Sequence, residues 1–258
     1  MAARKPMMAG NWKMNNTIGE AVVLTQEISN QYDERWGEDV DVVICPPYVD
    51  LKPAKTVLDF DKTKVSVGAQ NVYWEPSGAF TGEISVPMLK EIGCDYCIVG
   101  HSERRTLFGE TDEDVNRKAK ALIAGGIAPI ICVGESLAVR DEGTTDEFVC
   151  AQVSAAFAGI DAIQAAKCVV AYEPIWAIGT GRTATPEQAQ AVCAAIRAQV
   201  AELFGEDVAA GMRVLYGGSM NPGNVEGLLS EADIDGGLIG GAALKASSFV
   251  QLIEACLR

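Results

Sequence analysis

Histidine is the scarcest chemical resource in this chain: there is one, His101. Long apolar runs are missing too. No stretch of about 18 apolar residues occurs, so no membrane-spanning helix is expected. Positive charge is in deficit, with 21 Lys and Arg against 35 Asp and Glu, a net charge of −14. That balance argues against nucleic acid, whose phosphates need a basic face. An anionic substrate would have to be met by local charge: one lysine, backbone amides, helix N-termini. No low-complexity linker or shift in composition marks a second domain, so residues 1–258 are expected to form one unit. The first eight residues are too short an apolar segment, broken by Pro6, to suggest a signal peptide.

Cysteine is not scarce, at eight. Most lie inside apolar stretches: Cys45, Cys97, Cys132, Cys168 and Cys193. Cys94 and Cys97 have C-x-x-C spacing, but on a strand residues i and i+3 face opposite sides and cannot share a metal or a disulfide. Reduced cysteines acting as small apolar side chains fit a reducing cytoplasm, which is the expected location.

What recurs is a unit of short apolar strand, loop and amphipathic helix. The strands read as Met7–Lys13, Val40–Cys45, Lys64–Gly68, Asp95–Gly100, Ala128–Val133, Lys167–Glu173, Met212–Tyr216 and Gly237–Ile239. Thr17-Ile18-Gly19-Glu20 reads as a capping box with Ala21, Leu24 and Ile28 on one face. Thr111 reads as a cap ahead of Val115, Ala119, Leu122 and Ile123. Thr185-Pro186-Glu187-Gln188 opens a helix whose apolar set is Ala189, Val192, Cys193, Ile196, Val200 and Leu203. Eight such units in 258 residues match the length of a (β/α)8 barrel, an α/β fold with eight parallel strands. A doubly wound open sheet is the alternative; eight strands and no phosphate-loop glycine pattern after the first weigh against it.

In a barrel the active groups stand just past the C-terminal ends of strands. The sixth strand ends on Glu173, which Pro174 separates from an apolar loop, Ile175-Trp176-Ala177-Ile178, tipped by Gly179 and Gly181. This reads as a general base with a lid that excludes water, or as a structural carboxylate with a packed loop. Gly179-Thr180-Gly181-Arg182-Thr183-Ala184 fits G-x-G-x-x-G/A, yet five residues separate Glu173 from Gly179, so the tight turn that fingerprint needs is absent. Past the first strand stand Asn11 and Lys13; a lysine at a buried tip is costly unless it meets an anion. Past the fourth stands His101, with Ser102-Glu103-Arg104-Arg105 as a helix start whose amides disfavour a positive imidazole. Past the fifth, Glu135 reads as a brace for the lid or as a surface cap. Tyr216-Gly217-Gly218-Ser219 and Ile239-Gly240-Gly241-Ala242 follow the last two strands, where barrels hold phosphate.

Taken together, Gly10-Asn11-Trp12-Lys13, Gly78-Ala79-Phe80-Thr81-Gly82-Glu83, Val99-Gly100-His101-Ser102-Glu103-Arg104-Arg105, Ala171-Tyr172-Glu173-Pro174-Ile175-Trp176-Ala177-Ile178-Gly179-Thr180-Gly181, Tyr216-Gly217-Gly218-Ser219 and Gly240-Gly241 resemble the triosephosphate isomerase family over essentially the whole chain. The resemblance implies interconversion of dihydroxyacetone phosphate and glyceraldehyde 3-phosphate, without cofactor or metal. It implies Glu173 as base, His101 as neutral electrophile, Lys13 as the cation at enediolate and phosphate, Asn11 as a polar partner and Glu103 as a further catalytic-site residue. Gly179, Ser219, Gly240 and Gly241 would bind the phosphate. Loop 72–83, with three aromatics, would dock on a second subunit, placing Thr81 near that subunit's active site; packing on its own barrel is the alternative. Arg182 stands where the family often has Lys, and Met220 where Val is commoner. A barrel acting on another small sugar phosphate, or a non-catalytic descendant, are the competing readings; the second predicts loss of Lys13, His101 or Glu173, and none is lost.

Overall fold

The computed structural model describes residues 4–178 and 183–257. Its centre is a closed barrel of eight parallel strands in sequence order. They are β1 (Met7–Asn11), β2 (Asp41–Cys45), β3 (Ser66–Ala69), β4 (Tyr96–Val99), β5 (Ala128–Val133), β6 (Val169–Tyr172), β7 (Arg213–Tyr216) and β8 (Gly236–Ile239). Closure is made by β1 against β8, with Met7 opposite Gly236 and Gly10 opposite Ile239. Gly236 has φ +135°, and a Cβ there would lie 1.9 Å from the Met7 carbonyl oxygen, so only glycine fits this seam.

Strand periodicity sorts the side chains into two cores. Met7, Ala9, Val43, Ile98, Ile130, Val169, Ala171, Leu215 and Leu238 fill the barrel. The residues between them, such as Met8, Val42, Val99, Ile131, Val170 and Val214, join the larger core between the barrel and its helices. Strand β1 ends at Asn11 rather than running to Lys13, because Lys13 adopts φ +54° and leaves extended geometry.

The predicted caps form. Thr17 N–H donates to Glu20 Oε2 at 2.8 Å, Thr111 N–H to Asp114 Oδ2 at 3.0 Å, and Thr185 N–H to Gln188 Oε1 at 3.1 Å. The helix Pro186–Phe204 buries Ala189, Val192, Cys193, Ile196 and Val200. Its last apolar contact is Phe204, not Leu203. Four residues beyond Val200, the Phe204 ring meets Phe157 edge-on at 5.4 Å, while Leu203 is exposed. No helix among the described residues is long and apolar enough to cross a membrane.

Candidate active site

The same alternation that fills the barrel delivers two polar groups to its C-terminal mouth. Asn11 continues the inward series Met7, Ala9; Glu173 continues Val169, Ala171. At the equivalent position after β5 and β7 stand glycines. A Cβ on Gly134 would lie 1.8 Å from the Glu173 carbonyl oxygen, and one on Gly217 would lie 2.8 Å from Glu173 Cγ. These glycines clear the space that the carboxylate occupies.

Glu173 is buried, and its oxygens are fully engaged. Ser102 N–H donates to Oε2 at 2.9 Å and Ser102 Oγ to Oε1 at 3.1 Å. His101 Nε2 stands 3.0 Å from Oε1. His101 itself caps the helix Ser102–Phe108, its Nδ1 accepting the Glu103 N–H at 3.2 Å. That acceptance occupies the Nδ1 lone pair, so the neutral ring's proton resides on Nε2, the nitrogen facing Glu173. The residue before His101 is held at both its N–H and its carbonyl. Gly100, at φ +71°, donates its N–H to Glu110 Oε1 at 2.8 Å and accepts from Arg105 Nε at 2.7 Å.

Lys13 approaches from the β1 side. Its amide donates to Asn11 Oδ1 at 3.0 Å and its Nζ pairs with Glu103 Oε1 at 2.6 Å. Asn11, Lys13, His101, Glu173, Ser219, Gly240 and Gly241 all line one cavity of about 320 Å³. Glu103 does not line it; it sits behind, holding Lys13. Gly179 and Arg182 lie outside the described residues.

Glu135 is a brace and not a surface cap. It is fully buried, and Oε1 accepts from Trp176 Nε1 at 2.8 Å, Tyr172 Oη at 3.1 Å and Arg140 Nη1 at 3.3 Å. The Arg140 guanidinium also covers the Trp176 ring at 4.4 Å. The 3-10 turn Ile175–Ala177 that follows Glu173 is thereby tied to β5 and β6. Burial, and next the Glu135 charge, push the Tyr172 phenol up. Cys132 lies on the barrel side of Glu173; burial and then that carboxylate push its thiol well above the ordinary 9.0. All eight cysteines are free.

Ser102 was hidden at the sequence level among helix-start residues. The signal was there: the first residue of a helix has an uncommitted amide, and a hydroxyl beside it makes a second donor.

A family model described as triosephosphate isomerase matches residues 6–256. The chain belongs to that family. The triosephosphate isomerase of Chloroflexus aurantiacus is 51% identical over 252 residues, covering 97% of this chain and 99% of that protein. That of Nocardia farcinica is 50% identical over 250 residues, covering 97% and 96%. That of Streptococcus pyogenes serotype M18 is 51% identical over 253 residues, covering 98% of each. The fold agrees with triosephosphate isomerase membership: closed, eight-stranded and parallel throughout. Loop 72–83 stands away from the cavity. Residues 75–83 are exposed, while Tyr73 stacks on Trp74 at 4.1 Å and meets Phe80 at 4.6 Å. Thr81 is at the exposed tip.

Proposed function

We propose that this protein interconverts dihydroxyacetone phosphate and D-glyceraldehyde 3-phosphate through an enediolate. The observation that supports it most is the convergence of Glu173, His101 and Lys13 on one cavity that Gly217, Gly218, Gly240 and Gly241 also line. A C–H beside a carbonyl is a weak acid. Its removal needs a carboxylate shielded from water and a donor at the oxygen where charge develops. Glu173 takes the proton from one carbon, and His101 Nε2–H stabilises the oxygen. Protonated Glu173 then returns the proton to the neighbouring carbon, while His101 Nε2 gives its proton to the carbonyl oxygen and takes back the hydroxyl proton of the adjacent oxygen, so that one C–H and one O–H bond form for each one broken. Lys13 supplies the positive charge that a chain of net charge −14 otherwise lacks for a phosphorylated substrate. Asn11 fixes the Lys13 backbone, Glu103 its ammonium. Ser219, Gly240 and Gly241 offer close backbone approach to the phosphate, and Gly179 belongs to the same assignment. This division of labour is the one for which the family is known.

The working unit is a homodimer through loop 72–83. Exposed Met14, Val49, Met88, Leu107 and Phe108 add apolar area beyond what a solvated surface needs. The cytoplasm is the compartment that suits eight free thiols.

The test is a coupled assay of glyceraldehyde 3-phosphate conversion on purified protein, with Glu173→Ala alongside. Rapid turnover that the substitution abolishes is the expected result. A well-folded wild type without turnover would overturn the reading.

A further inference from the structure

We infer that Gln70 is a positioning residue for Lys13, holding its strained backbone so that the ammonium reaches the cavity; this rests on the reading of Lys13 given above. Gln70 follows β3, two strands away from the residue it serves. Both hydrogens of its single amide nitrogen are used on the tips of other strands: Nε2 donates to the Lys13 carbonyl at 2.8 Å and to the Cys45 carbonyl at 2.8 Å. The Cys45 oxygen is shared with the Trp12 N–H at 3.1 Å. Gln70 therefore stitches the ends of β1, β2 and β3 together at the point where the chain turns into the left-handed region.

That turn is costly. Lys13 has φ +54°, and a branched-off Cβ disfavours this region for any residue but glycine. Only Lys13, Asn16 and Lys62 among the described non-glycine residues have positive φ. Lys62 is the C-cap of the helix Tyr48–Asp61, where left-handed geometry is routine. Lys13 has no such excuse, and its strain is held by three separate contacts. Asn11 Oδ1 takes its N–H, Gln70 takes its C=O, and Glu103 takes its Nζ. Of these, only the Gln70 bond acts on the carbonyl side of the strained φ,ψ pair. Without it, the peptide after Lys13 is free to relax towards the extended or right-handed regions. The Cα–Cβ direction then rotates, and Nζ swings away from the space beside Gly240, whose Cβ position is now 3.5 Å from Lys13 Cε.

The experiment uses Gln70→Met, which keeps length and removes both donors, and Gln70→Asn, which retracts the donor by one methylene. The expected loss in kcat/KM is of the order of 10²-fold, because a displacement of about 1 Å in a catalytic group has that effect. The decisive readout is a double-mutant comparison with Lys13→Ala. If Gln70 acts through Lys13, then Gln70→Met lowers kcat/KM strongly in the wild type and by less than about twofold in the Lys13→Ala background. Equal losses in both backgrounds would overturn the inference, as would a crystal structure of Gln70→Met with Lys13 still at positive φ. Failure of both variants to fold would assign Gln70 to the fold itself and overturn it too. Binding of inorganic phosphate, measured by calorimetry, separates this from the functional reading. Weaker phosphate binding in Gln70→Met supports the inference even if no triose phosphate is turned over, and unchanged binding counts against it.

Discussion

Glu110 offers the sharpest test of how the site is supported. Its side chain is 2% exposed, yet it carries a charge. Oε1 accepts the Gly100 N–H at 2.8 Å, and Oε2 accepts from Arg104 Nε at 2.6 Å and stands 3.0 Å from Lys118 Nζ. Lys118 is equally buried and has one further acceptor, Asn71 Oδ1, at 2.9 Å. Burial pushes the Glu110 carboxyl up, but the Lys118 cation, the Arg104 bond and the Gly100 amide outweigh it and hold it below its ordinary 4.5. The perturbation is Glu110→Gln, which preserves shape and removes the charge. It leaves a buried ammonium without its counter-ion, a defect that costs about 3–5 kcal/mol. For a chain of this length each kcal/mol moves Tm by roughly 2–4 °C, so a fall of about 6–20 °C is expected in thermal unfolding followed by circular dichroism. The pH dependence has a fixed sign. A carboxyl held down in the folded state contributes stability above its unfolded pKa and loses that contribution as pH falls through its folded one. The Tm gap between wild type and Glu110→Gln must therefore be full at pH 6–7 and narrow below about pH 4.5. Removing the stranded cation as well, in Glu110→Gln with Lys118→Met, should recover part of the loss. A gap under about 2 °C at pH 7, or one that widens in acid, would refute the account.

Three other outcomes follow from the same geometry. His101→Gln should lower kcat by about 10²–10⁴-fold with the circular dichroism spectrum unchanged, since an amide can still donate a hydrogen bond but cannot give up and regain a proton as the imidazole does; unchanged kcat would reject the assignment. Alkaline stability should decline from pH 9 upward, because burial holds the Cys94 and Cys168 thiols up at about 12 against an ordinary 9.0, and a group raised in the folded state loses its contribution as pH rises past the unfolded value; a Tm flat from pH 9 to 11 would contradict it. Met14 is 96% exposed beside Lys13, and in the dimer proposed above it would be covered by the partner, so Met14→Glu is expected to lower the sedimentation coefficient towards that of a monomer at equal loading; an unchanged coefficient would exclude Met14 from the interface.

Much of the fold was legible because a barrel strand carries its own register. A fixed C-terminal mouth is enough to put Asn11 and Glu173 at the site from sequence alone, and the two-residue alternation of the folded strands shows that both point inward. Helix ends were legible for a related reason: Thr17, Thr111 and Thr185 satisfy local backbone donors, and the partners lie three residues away. What escaped was everything that depends on closing distances between separate strands. Gln70 reads as a polar residue after a strand until β1, β2 and β3 are brought side by side. Glu135 left two readings open because its three donors come from Arg140, Tyr172 and Trp176, and only folding shows that no water reaches it. The miss at Leu203 has a smaller cause. A helical face drifts, and after five turns the choice between positions 203 and 204 is made by where Phe157 stands rather than by periodicity.

The arrangement of the acid and the base carries one further consequence. In the proposed reaction Glu173 must meet a carbon and His101 Nε2 must meet an oxygen, yet here the two groups face each other at 3.0 Å. Each satisfies the other, and the two amide and hydroxyl bonds from Ser102 complete the carboxylate's shell. A buried base left bare would be expensive, at several kcal/mol for an unpaired charge. Pairing it with its own acid removes that cost and leaves neither group available to solvent. Substrate binding then has to break bonds to the carboxylate worth about 1.5–3 kcal/mol each. In the function proposed above, the energy for that step would come from a part of the substrate that does not react, the phosphate. On the function proposed above, a substrate stripped of its phosphate is thus expected to lose kcat as well as affinity when kinetics with the two substrates are compared, and an unchanged kcat would contradict it.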